Sequence, residues 1–130
     1  KELKRDFKTH SDTETLLLAF SEFGIKNTIN KLNGMFAIAL FDKIEQKLYL
    51  IRDRVGIKPL FWSFRGGEFV FASELKAIKD KKVDENSKIK FLSLGYMPND
   101  KTYYKDIYKL KPAHILEFDG KNIKIERYWD

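Results

Sequence analysis

Between residues 32 and 77 the chain passes through apolar stretches too dense for a sheet with one wet face. Met35-Phe36-Ala37-Ile38-Ala39-Leu40-Phe41, Leu48-Tyr49-Leu50-Ile51, Leu60-Phe61-Trp62 and Phe69-Val70-Phe71 are continuous rather than alternating. Runs of that length, rich in branched and aromatic residues, suit strands buried on both faces. Three or four short strands follow, joined by tight turns and running into a helix. The polar insert Arg52-Asp53-Arg54 breaks the series. Three consecutive charges make poor core, and they mark a candidate site.

The flanking chain supplies the punctuation. Residues 1–10 are charged and read as one helical turn and a loop. Ser11-Asp12-Thr13-Glu14 is a capping box, with Ser11 as N-cap and Glu14 reaching back. Leu16, Leu17, Phe20 and Phe23 then form one apolar helical face, which Gly24 stops. A second short helix is expected over 25–32, ended by Asn33-Gly34. Strands are expected over 35–41, 48–51, 60–64 and 69–71. Arg65-Gly66-Gly67-Glu68 makes the hairpin turn between the last two. A helix over 74–79 capped by Ser73 or its neighbour, a short helix ended by Gly95, and a turn at Pro98-Asn99-Asp100 come next. Strands over 115–118 and 123–125, joined by Asp119-Gly120-Lys121-Asn122, close the series. The pattern predicts a mostly antiparallel sheet layered with helices.

Composition narrows the function classes. With 43% hydrophobic and 15% aromatic residues in 130, the chain is expected to form one globular, soluble domain. No window is apolar for long enough to cross a bilayer, and no membrane role is expected. There is no cysteine, so disulfides and thiolate metal sites are excluded within these residues. His10 and His114 stand apart, with no ligand cluster around either, and no metal site is expected. The net charge of +6 comes from lysines scattered along the chain. A solvated surface explains it better than a nucleic-acid stripe. The chain opens on Lys1 within a polar segment and closes on Tyr128-Trp129-Asp130, which reads as a piece of a longer polypeptide.

Four motifs occur in order: Ser11-Asp12-Thr13-Glu14; Leu32-Asn33-Gly34-Met35-Phe36-Ala37; Arg52-Asp53-Arg54-Val55-Gly56-Ile57-Lys58-Pro59-Leu60; and Phe71-Ala72-Ser73-Glu74-Leu75-Lys76-Ala77. Together they resemble the glutaminase domain of class II glutamine amidotransferases, and among these the glutamine-hydrolysing asparagine synthetase group. Gly95-Tyr96-Met97-Pro98 and residues 107–116 resemble that group as well. The resemblance implies an α+β, N-terminal-nucleophile hydrolase-like fold, a four-layer αββα sandwich of mostly antiparallel strands, present here in part. It implies that residues 1–130 are the central and C-terminal part of a type 2 glutamine amidotransferase domain. In such enzymes an N-terminal cysteine hydrolyses glutamine, with its own α-amino group as base. The ammonia passes to a synthetase domain that uses ATP and Mg to activate aspartate as an acyl-adenylate. That cysteine, the segment after it and the Asn-Gly pair of the oxyanion hole match nothing here, so the isolated chain is expected to be inactive and to contain no cofactor of its own.

Residue by residue, Asp12 matches the carboxylate that holds the α-amino group of glutamine. It also suits the first turn of a helix for its charge alone. Gly34 and Met35 match positions near the route by which ammonia leaves, though Met35 also reads as a core methionine. Arg52, Asp53 and Arg54 read as an ion-pair network fixing a strand end, with Lys58 in support, in preference to a substrate contact. Glu74 is counted with that supporting network; it also reads as a first-turn acid, and the resemblance places it near the interdomain face. Phe36, Phe41, Tyr49, Phe61, Trp62 and Phe71 read as core. Lys111-Pro112-Ala113-His114 departs from the family's Pro-Pro-Gly-His-like turn. The implied partners are glutamine, the synthetase domain and a second copy in a homodimer, in the cytoplasm. Two other functions compete: an amidotransferase with a different acceptor, and a non-catalytic module of the same fold.

Overall fold

The computed structural model describes residues 11–98 and 100–130, so the expectations for 1–10 and for Asn99 lie outside the described residues. The chain divides into two compact units, Lys1–Gly34 and Met35–Asp130.

In the first unit a helix, α1, spans Asp12–Lys31. Ser11 caps it from extended backbone, its hydroxyl oxygen accepting the Thr13 N–H at 3.2 Å. Gly24 sits inside at φ 74°, ψ 169°, so the element is two helices meeting at a kink, as the glycine predicts. Thr28 is buried, and its hydroxyl is shared between the carbonyls of Ala19 at 2.9 Å and Gly24 at 2.8 Å. The carbonyl groups that the kink leaves without helical partners are thereby satisfied.

Among the described residues the second unit holds seven strands in two antiparallel sheets. The first sheet contains β1 (Ala37–Asp42), β2 (Lys47–Arg52), β6 (His114–Phe118) and β7 (Ile123–Arg127), in the order β1-β2-β6-β7. The second has β3 (Phe61–Arg65), β4 (Glu68–Ala72) and β5 (Tyr108–Lys109), in the order β4-β3-β5. Leu50 and Leu116 from the first sheet meet Leu60, Leu110, Trp62 and Phe69 from the other side in one core. Phe69 stacks on Phe118 at 4.4 Å between ring centres, which locks the two sheets face to face.

Burial on both faces holds at the centre of the first sheet and fails at the edges. Neighbouring Leu50 and Ile51 on β2 point to opposite faces and are both buried, as are Ile115 and Leu116 on β6. Phe41 and Phe71 are largely exposed, contrary to the expectation of core. Both lie on edge strands, β1 and β4, where no neighbouring strand shields the ring.

The turns follow their chemistry. Gly66 and Gly67 have φ of 57° and 81°, the pair of left-handed residues that a two-residue hairpin requires. At the β6–β7 turn the Asp119 carboxylate accepts the N–H groups of Lys121 at 2.9 Å and Asn122 at 2.7 Å, and the Asn122 side-chain amide at 3.0 Å. Those donors, led by Asn122, pull its pKa from 3.8 down to about 2. A carboxyl depressed on folding stabilises above its unfolded value and loses that contribution as pH falls through the folded one. The turn should therefore loosen between about pH 3.8 and 2. A carbon-13 titration of the Asp119 carboxyl tests this, and a midpoint at the ordinary value of 3.8 would contradict it.

Three elements differ from the sequence expectation. The helix over 74–79 is a single 3₁₀ turn, Leu75–Ala77, and no side chain caps it. Ile78 turns extended, at φ −82° and ψ 121°, and is buried, which ends the turn. The Arg65 guanidinium then takes the carbonyls of Asp80 and Lys79 at 2.9 and 3.2 Å. The short helix expected before Gly95 is α2, Glu85–Leu94, which starts earlier on the Asp84 cap and ends on Gly95 at φ 74°. Strand β5 was not expected.

Candidate functional site

Asp12 is the first residue of α1 and is exposed, where the helix N-terminus favours a negative group. Gly34 closes the same unit at φ 134°, a backbone conformation that side chains disfavour. The other site residues lie in the second unit. Met35 is 59% exposed, contrary to its reading as a core methionine.

The main constellation of the second unit forms where β2 ends. Asp53 is buried. One carboxylate oxygen accepts the Ile57 N–H at 2.9 Å and the other the Lys58 N–H at 2.9 Å. Its own N–H donates to the Phe36 carbonyl at 3.0 Å, and its carbonyl accepts from Gly56 at 3.1 Å and Ala113 at 2.9 Å. Burial pushes the Asp53 pKa up; backbone hydrogen bonds at Lys58, Ile57, Gly56 and Phe36 outweigh it and hold the carboxyl below its ordinary range.

Arg52 handles the complementary groups. Its guanidinium donates to the carbonyls of Lys58 at 2.8 Å, Gly56 at 2.7 Å and Leu110 at 2.6 Å. Burial lowers its pKa, and the neighbouring Asp53 charge opposes that without reversing it. The acid thus collects N–H groups of the loop, and the base collects two carbonyls of the same loop and the carbonyl of Leu110. Both side chains direct these bonds to main chain, so the ion-pair network expected from the sequence is a clasp on the backbone of residues 53–58. Lys58 joins it through its N–H and carbonyl, and its side chain faces solvent. Glu74 stands apart: its carboxylate pairs with Lys76 at 2.6 Å, with both groups well exposed.

Sequence reasoning missed the segment that covers the clasp. Tyr128 donates its hydroxyl to the Arg52 carbonyl at 2.8 Å, and Arg54 lies over the Trp129 ring at 5.1 Å. Pro112 wedges against Gly56, where an added Cβ would meet its ring at 2.6 Å. The departure at Lys111-Pro112-Ala113-His114 has a visible consequence. Ala113 adopts φ 59° and is buried, the left-handed conformation for which glycine is the easier residue.

Two stacked antiparallel sheets in one unit and a broken helix in the other define an α+β protein of the N-terminal-nucleophile hydrolase type, present in part. The glutamine phosphoribosylpyrophosphate amidotransferase of B. subtilis shares this fold, with a TM-score of 0.67 at 24% identity over 97% of this chain and 24% of that one. An allosteric regulatory enzyme of purine biosynthesis gives a TM-score of 0.69 at 23% identity, with the same coverage. Within that class the chain belongs to the glutamine amidotransferase domain family, which matches residues 1–129. Its relatives include the glutamine-hydrolysing asparagine synthetase 3 of Bacillus subtilis, 36% identical over 139 residues and all of this chain. Asparagine synthetase 1 of the same organism is 33% identical over 111 residues, covering 82% of this chain. The chain spans 22% and 17% of the lengths of those two relatives.

Proposed function

We propose that this chain is the central and C-terminal part of the glutaminase domain of a glutamine-hydrolysing asparagine synthetase. The observation that carries the reading is the end-to-end match to the amidotransferase domain family, alongside relatives that bear that enzyme's name. In the whole protein, a cysteine thiol outside these 130 residues attacks the side-chain carboxamide of glutamine and releases ammonia. The ammonia amidates aspartate in a synthetase domain that holds ATP and Mg. Among the described residues no group of three His, Cys, Asp or Glu is arranged to hold a metal. A cytoplasmic setting, where ATP and aspartate are at hand, fits that chemistry. No helix among the described residues is long and apolar enough to cross a membrane.

Asp12 binds the α-ammonium of glutamine. An exposed carboxylate in the first turn of a capped helix can pair with the free ammonium that distinguishes a free amino acid from a glutamine within a peptide. Gly34 and Met35 stand at the start of the ammonia route, and the Arg52–Asp53 clasp holds the loop beside β1 in one conformation. In the intact protein, Asp12→Ala should weaken glutamine-dependent synthesis about 100-fold, the effect of losing a charged hydrogen bond worth about 3 kcal/mol. Ammonia-dependent synthesis should be unchanged. Equal loss of both activities would remove Asp12 from glutamine binding.

A further inference from the structure

A cavity of about 270 Å³ lies in the second unit where β5 gives way to β6. Lys109 at the end of β5 and Lys111 beyond it line one side, with Asp100 as the acid. His114 of β6, Ile125 of β7 and Trp62 of β3 supply the rest, so both sheets contribute to the wall. The charges on this lining are unbalanced. Lys109 donates from its ammonium to the Met97 carbonyl at 3.1 Å. Lys111 reaches Asp100 only at 4.0 Å, with both groups close to half exposed, a contact of little strength. Burial lowers the Lys109 pKa, the Arg52 charge lowers it further, and Asp100 opposes both without prevailing. One acid therefore serves two lysines while Arg52 repels one of them. His114 holds its Nδ1 2.7 Å from the Pro112 carbonyl, which leaves Nε2 as the nitrogen for another partner.

We propose that this cavity binds a small dianionic metabolite, a phosphate monoester or a dicarboxylate, through Lys109, Lys111 and His114. The site goes beyond the glutaminase reading and does not depend on it. Two lysines against one acid, with the Arg52 field added, favour an anion over a neutral or cationic ligand. A doubly charged ligand gives each lysine an oxygen of its own, and charge-assisted bonds of that kind are the strong ones. It also offsets the repulsion between Lys109 and Arg52, which Asp100 leaves in place. The walls limit the ligand's size. Trp62 has Phe69 at 6.0 Å and Tyr108 at 4.9 Å, rings carried by the strands on either side of β3. Neither face of the indole is therefore free to stack on a nucleobase. The cavity is also smaller than the roughly 300–1,000 Å³ of sites that take drug-sized molecules.

The test reads each lysine separately, so ligands bound elsewhere on the intact protein do not interfere. Trace acetic anhydride labels free amines, and peptide mass spectrometry gives the rate at every lysine. The probes are inorganic phosphate and succinate, with chloride at matched ionic strength as the control. At about ten times a millimolar Kd the site is about nine-tenths filled, so acylation of Lys109 should slow about tenfold. Lys43, exposed on the β1–β2 turn, should be unaffected. Protection by phosphate alone identifies a phosphate monoester, and protection by succinate alone a dicarboxylate; either supports the site. Lys111→Ala, at a half-exposed position, should raise the concentration needed about tenfold, the effect of one charged hydrogen bond. No protection by either probe would overturn the proposal. Equal slowing by chloride would reduce it to screening of surface charge and overturn it as well. Full protection in Lys111→Ala would mean an adventitious ion only. Glutamate formation from glutamine plays no part in these readouts, so failure of the glutaminase reading would leave them standing.

Discussion

Asp53→Ala should destabilise the second unit by about 3–6 kcal/mol, from two hydrogen bonds to a charged acceptor at about 1.5–3 kcal/mol each. The carboxylate is buried and takes the N–H groups of both Ile57 and Lys58. Alanine leaves both N–H donors without their charged acceptor. Asn retains one carbonyl oxygen and turns an NH₂ toward the other N–H, so Asp53→Asn should recover at most half of the loss. Urea unfolding followed by the fluorescence of Trp62 and Trp129 measures it. A change under 1 kcal/mol would mean that the clasp is ornamental. The sign of the pH effect is fixed as well. Because the folded-state pKa is lowered, the contribution is complete above the ordinary value of 3.8 and is lost as pH falls through the lowered one.

Gly56→Ala should cost about 2–4 kcal/mol. The backbone at φ 71° carries a penalty of about 1–2 kcal/mol for any residue with a Cβ. The new methyl would sit 2.6 Å from the Pro112 ring and 3.2 Å from the Arg52 guanidinium carbon, and overpacking of that kind costs about 1–3 kcal/mol. Reduced freedom of the unfolded chain returns about 0.4–1 kcal/mol. Gly66→Ala is the control: φ is 57° but nothing lies within 4 Å of the added carbon, so only the backbone penalty applies. Equal effects at the two glycines would show that the contact with Pro112 carries no strain.

These two residues also show what the sequence made legible. Arg52-Asp53-Arg54 stood out because charge interrupted an apolar run, and that break does mark the end of β2, where the clasp forms. Its hydrogen-bonding partners were hidden, because they are main-chain groups of a loop and the carbonyl of Leu110, 58 positions away. Side-chain composition says nothing about which backbone groups will lack a sheet partner. The Gly66-Gly67 hairpin and the Gly24 break were readable since both depend on local conformational freedom. Strand β5 was not, being two residues long and defined only by its pairing with Phe61 and Trp62. The helix expected over 74–79 met a tertiary demand, the burial of Ile78, that local propensity does not register. Asp12 lies in the first turn of a capped helix, as the capping box predicts.

The most direct measurement of the glutaminase assignment follows the nitrogen. The intact protein is supplied with aspartate, ATP, Mg and glutamine labelled with nitrogen-15 in its side-chain amide. The account predicts that the label appears in the side-chain amide of asparagine as glutamate forms. Glutamine left unhydrolysed, or hydrolysed with the label reaching no acceptor, would contradict it.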